Sequence, residues 1–353
     1  MVLPLALLAA LVALLACATL QVGSGVGVTL SFSSVARGLR AWIGAGAPLE
    51  GALQVLFEQR LVDTAAAALV GAGLALSGGL LQGVFRNDLA SPGLLGISSG
   101  ATLGAAAGVI LIGGGLGGAE ALGVAGLFGP ALVSSLAFIG ALAVSGLVML
   151  LGTRGGRISV PTLLLLGVAA NACLGGVLAA LQEVLFEEDY ELSRAVFSWT
   201  FGNLADRTYG QVMTLLMLIP LAALVVPFVG RELDLIAGGE EDAESLGVDT
   251  RRMKLLAVGG ASLAAAAAVA VAGQIAFVGL VVPHILRGAL GHSHPRLLLA
   301  CVLGGAAFLL GADLVNHSLL GARALRPGVM LSLIGGPFFL ALVLRRRAEV
   351  RTW

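Results

Sequence analysis

Residues 255–286 read LLAVGGASLAAAAAVAVAGQIAFVGLVVPHIL, a run without a single charge. A helix crosses the hydrocarbon core of a bilayer in about 20 apolar residues, so the run invites two readings. As one span it gives the chain nine membrane helices. Broken at Gly273–Gln274, it gives ten, the second piece continuing through Pro283 to Leu290. Further charge-free runs lie at 1–36, 64–85, 89–119, 121–153, 158–182, 208–230, 297–312 and 327–344. None alternates as barrel strands would. The expected fold is an all-α polytopic membrane protein.

Positive charge decides between the two counts, because cytoplasmic loops carry the excess of Lys and Arg. Ten helices with a cytoplasmic N-terminus place 13 of the 20 basic residues inside and 7 outside; nine helices reverse the balance to 9 and 11. Ten transmembrane helices are therefore expected, with both termini cytoplasmic. Residues 1–22 have no basic leader and a long apolar stretch, which predicts a retained first helix rather than a signal peptide. The whole chain, 1–353, is expected to form one transmembrane domain. Its outer loops fall at about 23–60 and 183–209, and its longest cytoplasmic loop at about 231–254.

Composition excludes most other classes. Of the 353 residues, 58% are hydrophobic and 11% charged, against roughly a quarter charged in a soluble domain. The 20 basic residues balance the 20 acidic ones, so no global field draws the chain to nucleic acid. Cys17, Cys173 and Cys301 stand alone in apolar runs and are expected to be small buried hydrophobes. Gly71, Gly73, Gly78, Gly79, Gly83, Gly100, Gly104 and Gly108 suit close helix packing. The sequences Ser91-Pro92-Gly93 and Gly335-Gly336-Pro337 are expected to stop helices.

No catalytic constellation emerges. A phosphate-binding loop needs Gly-Lys-Ser/Thr, and the sole lysine, Lys254, follows Met253. Gly96-Ile97-Ser98-Ser99-Gly100 would need a histidine on a facing helix to act as a protease serine motif, and His284 has no supporting pattern. His292 and His294, two apart, are a weak metal signal, and no metal site is expected. Ionisable residues avoid the helix centres, and Asp63 and Asp313 are placed at outer helix ends. Asn171 is the clearest mid-span polar residue, either bonded between helices or lining a path. With no ion-coupling residues, energy is expected from a partner. A docking surface is visible from Arg231 to Lys254: an acidic helix containing Glu241, Ala243, Glu244 and Ser245, a stop at Leu246-Gly247, and a second, basic helix.

Four stretches carry a family resemblance: LVGAGLALSGGLLQ (69–82), FRNDLASPGLLGISSG (85–100), AESLG (243–247), and GQIAFVGLVVPHILR (273–287) continued by GGPFF (335–339). From about residue 55 to 345 the chain resembles the permease subunits of bacterial ABC importers for iron chelates and cobalamin, the FecCD or BtuC-like permeases. The resemblance implies the type II importer fold in the inner membrane. It also implies a second copy of the chain, two separate ATP-binding subunits that hold ATP and Mg, and a periplasmic or lipid-anchored substrate-binding protein. The cargo would be an iron–siderophore, haem or cobalamin. No cofactor is expected in the chain itself, and membrane lipid is expected around it as a partner.

Carried over by position, Glu241, Ala243, Glu244, Ser245, Leu246 and Gly247 would couple to the ATPase. Asn87, Leu89, Ser159, Val160 and Pro161 fall at the cytoplasmic gate, and Leu164, Val168 and Asn171 on the path-lining fifth helix. Departures accompany the match. Arg60-Leu61-Val62-Asp63 keeps one of the family's two docking arginines, Asp88 replaces the usual gate proline, and Ala324-Leu325-Arg326 replaces Glu-Leu-Pro. Arg60, Arg323 and Arg326 are expected to supply the outer contact with the binding protein. The alternative function is a secondary transporter without an ATPase.

Overall fold

The computed structural model describes residues 2–22, 29–113, 129–154 and 157–350, and these contain fourteen α-helices. In chain order they are α1 (Val2–Val22), α2 (Phe32–Trp42), α3 (Ala52–Phe85), α4 (Ile97–Ile112), α5 (Gly129–Gly152), α6 (Val160–Glu188) and α7 (Tyr190–Thr200). There follow α8 (Tyr209–Ala223), α9 (Val226–Gly238), α10 (Glu240–Ser245), α11 (Thr250–Ala272), α12 (Val278–Leu290), α13 (His294–Leu320) and α14 (Pro327–Val350). A short antiparallel ribbon pairs Thr153 with Ile158 and Arg154 with Arg157. Six helices are long and apolar enough to cross a membrane, α8 and α9 are long and apolar enough only when taken together, and α4, α12 and residues 327–341 of α14 are shorter apolar helices.

Close packing of small residues builds the centre. α3 runs through it against α11, α12 and α13. At the α3–α13 crossing a Cβ on Gly71 would lie 2.2 Å from the carbonyl oxygen of Gly305, and the reverse distance is also 2.2 Å. Only two glycines allow that approach, which stands in for hydrophobic expulsion between helices in lipid.

The 255–286 run is broken where the sequence suggested. α11 ends at Ala272, Gly273 takes φ +74°, and α12 begins at Val278. A Cβ on Gly273 would meet the Trp199 carbonyl oxygen at 2.5 Å. The freed backbone finds partners, as it must in a bilayer: the Asn203 amide donates to the Ala272 carbonyl at 2.7 Å, and Gln274 donates to the Ser98 carbonyl at 3.4 Å and to the Thr102 hydroxyl of α4. Phe277 is left-handed at φ +68°.

The 208–230 run is bent by 45° between α8 and α9, where Pro227 removes a backbone donor and crowds the preceding turn. Several local expectations are corrected. Gly335-Gly336-Pro337 does not stop a helix, since α14 passes through it. Gly335 instead makes room for the Phe277 ring, whose Cγ would lie 2.3 Å from a Cβ there. Asp63 is not at a helix end, because α3 starts at Ala52. It accepts from the Arg207 amide at 2.9 Å and the Asp206 amide at 3.3 Å, anchoring the loop before α8. Asp313 lies inside α13, paired with His317 at 3.3 Å one turn on. The 23–60 stretch contains α2 and the first turns of α3, and the 183–209 stretch contains α7. Among the cysteines Cys301 is buried and Cys17 partly so, but Cys173 is exposed on α6.

Candidate functional site

α6 begins with Ser159, whose hydroxyl accepts from the Thr162 hydroxyl at 2.8 Å and from the Thr162 amide at 3.4 Å. Pro161 sits in the first turn, where its missing N–H costs nothing. One side of the helix is fastened to the bundle. Leu163 and Gly167 are buried, and a Cβ on Gly167 would lie 1.7 Å from the Leu94 carbonyl oxygen. The other side is open, with Leu165, Val168 and Val177 exposed. Of the expected path residues, Val168 faces outward and Leu164 is half-buried.

Asn171 makes the interhelical hydrogen bonds that are one of its two expected roles. Its amide nitrogen donates to the Gly93 carbonyl at 2.8 Å, and its oxygen accepts from the Ser99 hydroxyl at 2.7 Å. It therefore ties α6 to the 92–95 turn and to α4.

The residues expected at the gate lie in the connector after α3 and at the start of α6. Asn87 follows α3, where Arg86 is left-handed at φ +50°, and the Asn87 side-chain oxygen accepts from the Leu89 amide at 3.0 Å. Asn87, Ser159 and Pro161 are exposed, whereas Leu89 and Val160 are half-buried. Asp88, unusual at its position, forms an ion pair with Arg287 of α12. Arg287 also donates to the Gln82 side-chain oxygen at 3.1 Å. The sequence reading missed this pair. Its signal was the coincidence of an unexpected acid at the gate and the arginine that ends the 255–286 run.

Beside it lies a polar cavity of about 560 Å³ lined by Arg86, Asp88, Asp234, Arg287, His292 and His294. The His294 ring nitrogen Nδ1 lies 2.6 Å from Asp234 Oδ1, and the His294 amide donates to the same oxygen at 2.8 Å. Among the described residues no group of three or more His, Cys, Asp or Glu side chains is placed to hold a metal ion.

The loop after α9 folds as a compact turn of helix. α10 carries Glu240, Glu241, Asp242, Ala243, Glu244 and Ser245, and Ala243 is buried. Leu246 caps it with its side chain 71% exposed. Gly247 takes φ +87°, which disfavours any residue with a Cβ. Asp249 then caps α11 by accepting from the Arg252 amide at 2.9 Å. The turn is pinned by an ion pair between Lys254 and Glu240 and by a Thr250–Glu244 hydrogen bond of 2.7 Å. The second, basic helix of the sequence reading is the first turn of α11, with Lys254 buried rather than displayed.

The arginines expected on the outer face separate. Arg60 is 1% exposed. Its guanidinium donates to the Gln21 carbonyl at 2.6 Å and the Leu20 carbonyl at 3.2 Å. It thereby satisfies end-of-helix carbonyls of α1 that have no partner within the helix, and this burial withdraws it from any outer docking face. Arg323 and Arg326 are exposed, and Arg326 donates to the Ser198 carbonyl. Arg207, which the sequence reading passed over, donates to the Val271 carbonyl at 2.8 Å and to the Ala205 carbonyl at 3.0 Å. Burial pushes its guanidinium below the ordinary range, and Asp63 and Asp206 oppose that shift.

Comparison with known proteins places the chain among transporters. The FecCD transport family matches residues 8–345. The hemin transport system permease protein of Yersinia pestis is 38% identical over 82% of this chain and 83% of its own length. The cobalamin import system permease protein of Halobacterium salinarum is 38% identical over 96% of this chain and 89% of its own. A solved structure of a metal-chelate type ABC transporter in an inward-facing conformation superposes with a TM-score of 0.78 at 25% identity, covering 98% of this chain and all of the other.

Proposed function

The chain belongs to the FecCD transport family, and from that membership we propose that it is the membrane permease subunit of an ATP-driven ABC importer for an iron chelate, haem or cobalamin. Six long apolar helices and the bent α8–α9 pair, taken together with the three shorter apolar helices, make up the ten spans that the charge balance predicts. With the positive-inside balance, both termini face the cytoplasm and the bilayer is the inner membrane. Two copies form the path, and the binding protein delivers cargo to the outer side.

The observation that carries this proposal is the open face of α6. Its most apolar window is 11% buried, although the helix is fastened along its other side. A second copy of the chain facing α6 across a two-fold axis closes a path along Leu164 and Val168. Asn87, Leu89, Ser159, Val160 and Pro161 stand at its cytoplasmic end. Asn171 holds α6 against the 92–95 turn, so a movement of that turn is felt along the path.

ATP hydrolysis takes place on separate subunits docked at Glu241–Gly247. The exposed Leu246 is the anchor, and the pinned α10 transmits the displacement to α11. On the opposite face Arg323 and Arg326 meet the binding protein. Copurification settles the proposal. An ATP-binding subunit retained with the chain, and hydrolysis stimulated by loaded binding protein, is the expected result. Uptake by the chain alone, driven by an ion gradient, identifies a secondary transporter instead.

A further inference from the structure

The segment between α1 and α3 carries a surface that transport, as described above, does not use. The side chains of α2 sort into three sectors. Ser34, Val35 and Gly38 are buried against the body, and a Cβ on Gly38 would lie 2.7 Å from the Phe57 ring. Ser33, Arg37 and Arg40 are exposed on a polar side. Phe32, half-buried Leu39 and the capping Ile43 share a third side by their helical spacing, while Trp42, by spacing on the same side as Val35 and Gly38, is exposed in the last turn. Phe32 is 70% exposed, Trp42 63% and Ile43 69%, a concentration of large apolar groups that water does not favour.

The depth of this face follows from α1. That helix has 21 residues, about 31 Å at 1.5 Å each, which matches a hydrocarbon core of about 30 Å. Its stripe of Leu3, Leu7, Leu11 and Leu14 is exposed, as a lipid-facing surface is. Its last turn is covered: Leu20 is buried in one cluster with Leu30, Val35 of α2 and Phe57 of α3. Arg60 fixes this corner by bonding the Leu20 and Gln21 carbonyls. α2 is therefore seated where the hydrocarbon ends, beside a surface already in lipid. It carries two arginines and no acidic residue, the charge that complements phosphate headgroups.

We infer that α2 lies flat in the membrane interface, with Phe32, Leu39, Ile43 and Trp42 in the acyl boundary and Arg37 and Arg40 among the headgroups. Amphipathic helices with aromatic and basic residues adopt this position in bilayers. The occupant of the face is the lipid leaflet.

The test uses the full chain in phosphatidylcholine–phosphatidylglycerol vesicles, with Trp199→Phe and Trp353→Phe leaving Trp42 as the sole tryptophan of three. In lipid brominated on the upper acyl chain, Trp42 should lose roughly half of its emission, as an interfacial ring in reach of bromine does. Aqueous iodide should have little effect. Quenching by iodide and not by brominated lipid overturns the proposal, and so does protection from both, which means a second copy covers the face. Iodide quenching that vanishes on adding the binding protein assigns the face to that partner and overturns it as well. Should Trp199→Phe impair folding, the emission lost between the native chain and Trp42→Phe in the same vesicles gives the same readout.

Discussion

α3 and α6 are both long, apolar and rich in glycine, yet the most apolar window of α3 is 78% buried and that of α6 is 11% buried. Their glycines explain the difference. A Cβ on Gly78 of α3 would lie 1.7 Å from the Gly279 carbonyl oxygen of α12, so the residue is there to let two backbones meet. Gly175 and Gly176 of α6 have nothing within 4 Å of such a Cβ. One helix is a structural axle, and the other presents a face with no neighbour among the described residues. Hydropathy is the same signal for both, because it measures side chains and is blind to what they touch.

The largest expected effect breaks the axle. Gly78→Leu should cost about 3 kcal/mol or more, since neither backbone can retreat, and should remove folded protein from the membrane. In contrast, Gly175→Ala and Gly176→Ala should leave stability within about 1 kcal/mol, with any change favourable, as glycine weakens a helix. Thermal unfolding in detergent compares the three. Equal losses would mean that α6 is packed as α3 is.

The exposed Leu246 extends the contrast to the cytoplasmic side. Leu246→Glu should weaken ATPase association by about 2 kcal/mol, close to thirty-fold, as loss of an interface anchor does. The thermal midpoint of the permease should not move. Normal ATP-driven uptake by this variant would make the loop a plain connector.

A smaller effect is expected at the gate. Asp88→Asn leaves Arg287 bonded to Gln82 but without its ion pair, at a cost of about 1–2 kcal/mol, less than for a fully buried pair because Asp88 is partly exposed. The double variant Asp88→Asn, Arg287→Met should recover part of that loss. Additive losses in the cycle would mean that the two residues do not act as a pair.

The weakest effect belongs to the exposed arginines. Arg323→Glu with Arg326→Glu should reduce binding-protein association at low salt and lose most of its effect at high salt, since each solvated contact contributes below about 1 kcal/mol. Titration of purified binding protein at two ionic strengths reads this directly. An equal effect at both would place the contact in a dry interface.

Much of this was legible in the chain. The break at Gly273–Gln274, the helix stop at Leu246-Gly247 and the helix carrying Glu241–Ser245 follow from glycine, proline and charge acting over a few neighbouring residues. What stayed hidden depends on distant partners. Arg60 reads as an outer charge until α1 supplies carbonyls that need it. Gly335-Gly336-Pro337 reads as a stop until Phe277 is seen to need the space. Asn171 reads as a bonded or a path-lining residue until Gly93 and Ser99 supply the partners for the first role. Cys173 reads as buried because its run is apolar, although it is exposed among the described residues.

The central claim is that the open face of α6 borders a water path and not lipid. A cysteine at position 168, introduced with Cys173→Ser, tests it through a membrane-impermeant thiol reagent applied from either side of sealed vesicles holding the full transporter. Labelling of the cysteine should switch sides when ATP is added with binding protein. Labelling by a lipid-soluble reagent alone, from neither aqueous side and in no nucleotide state, would place that face in the bilayer and contradict the account.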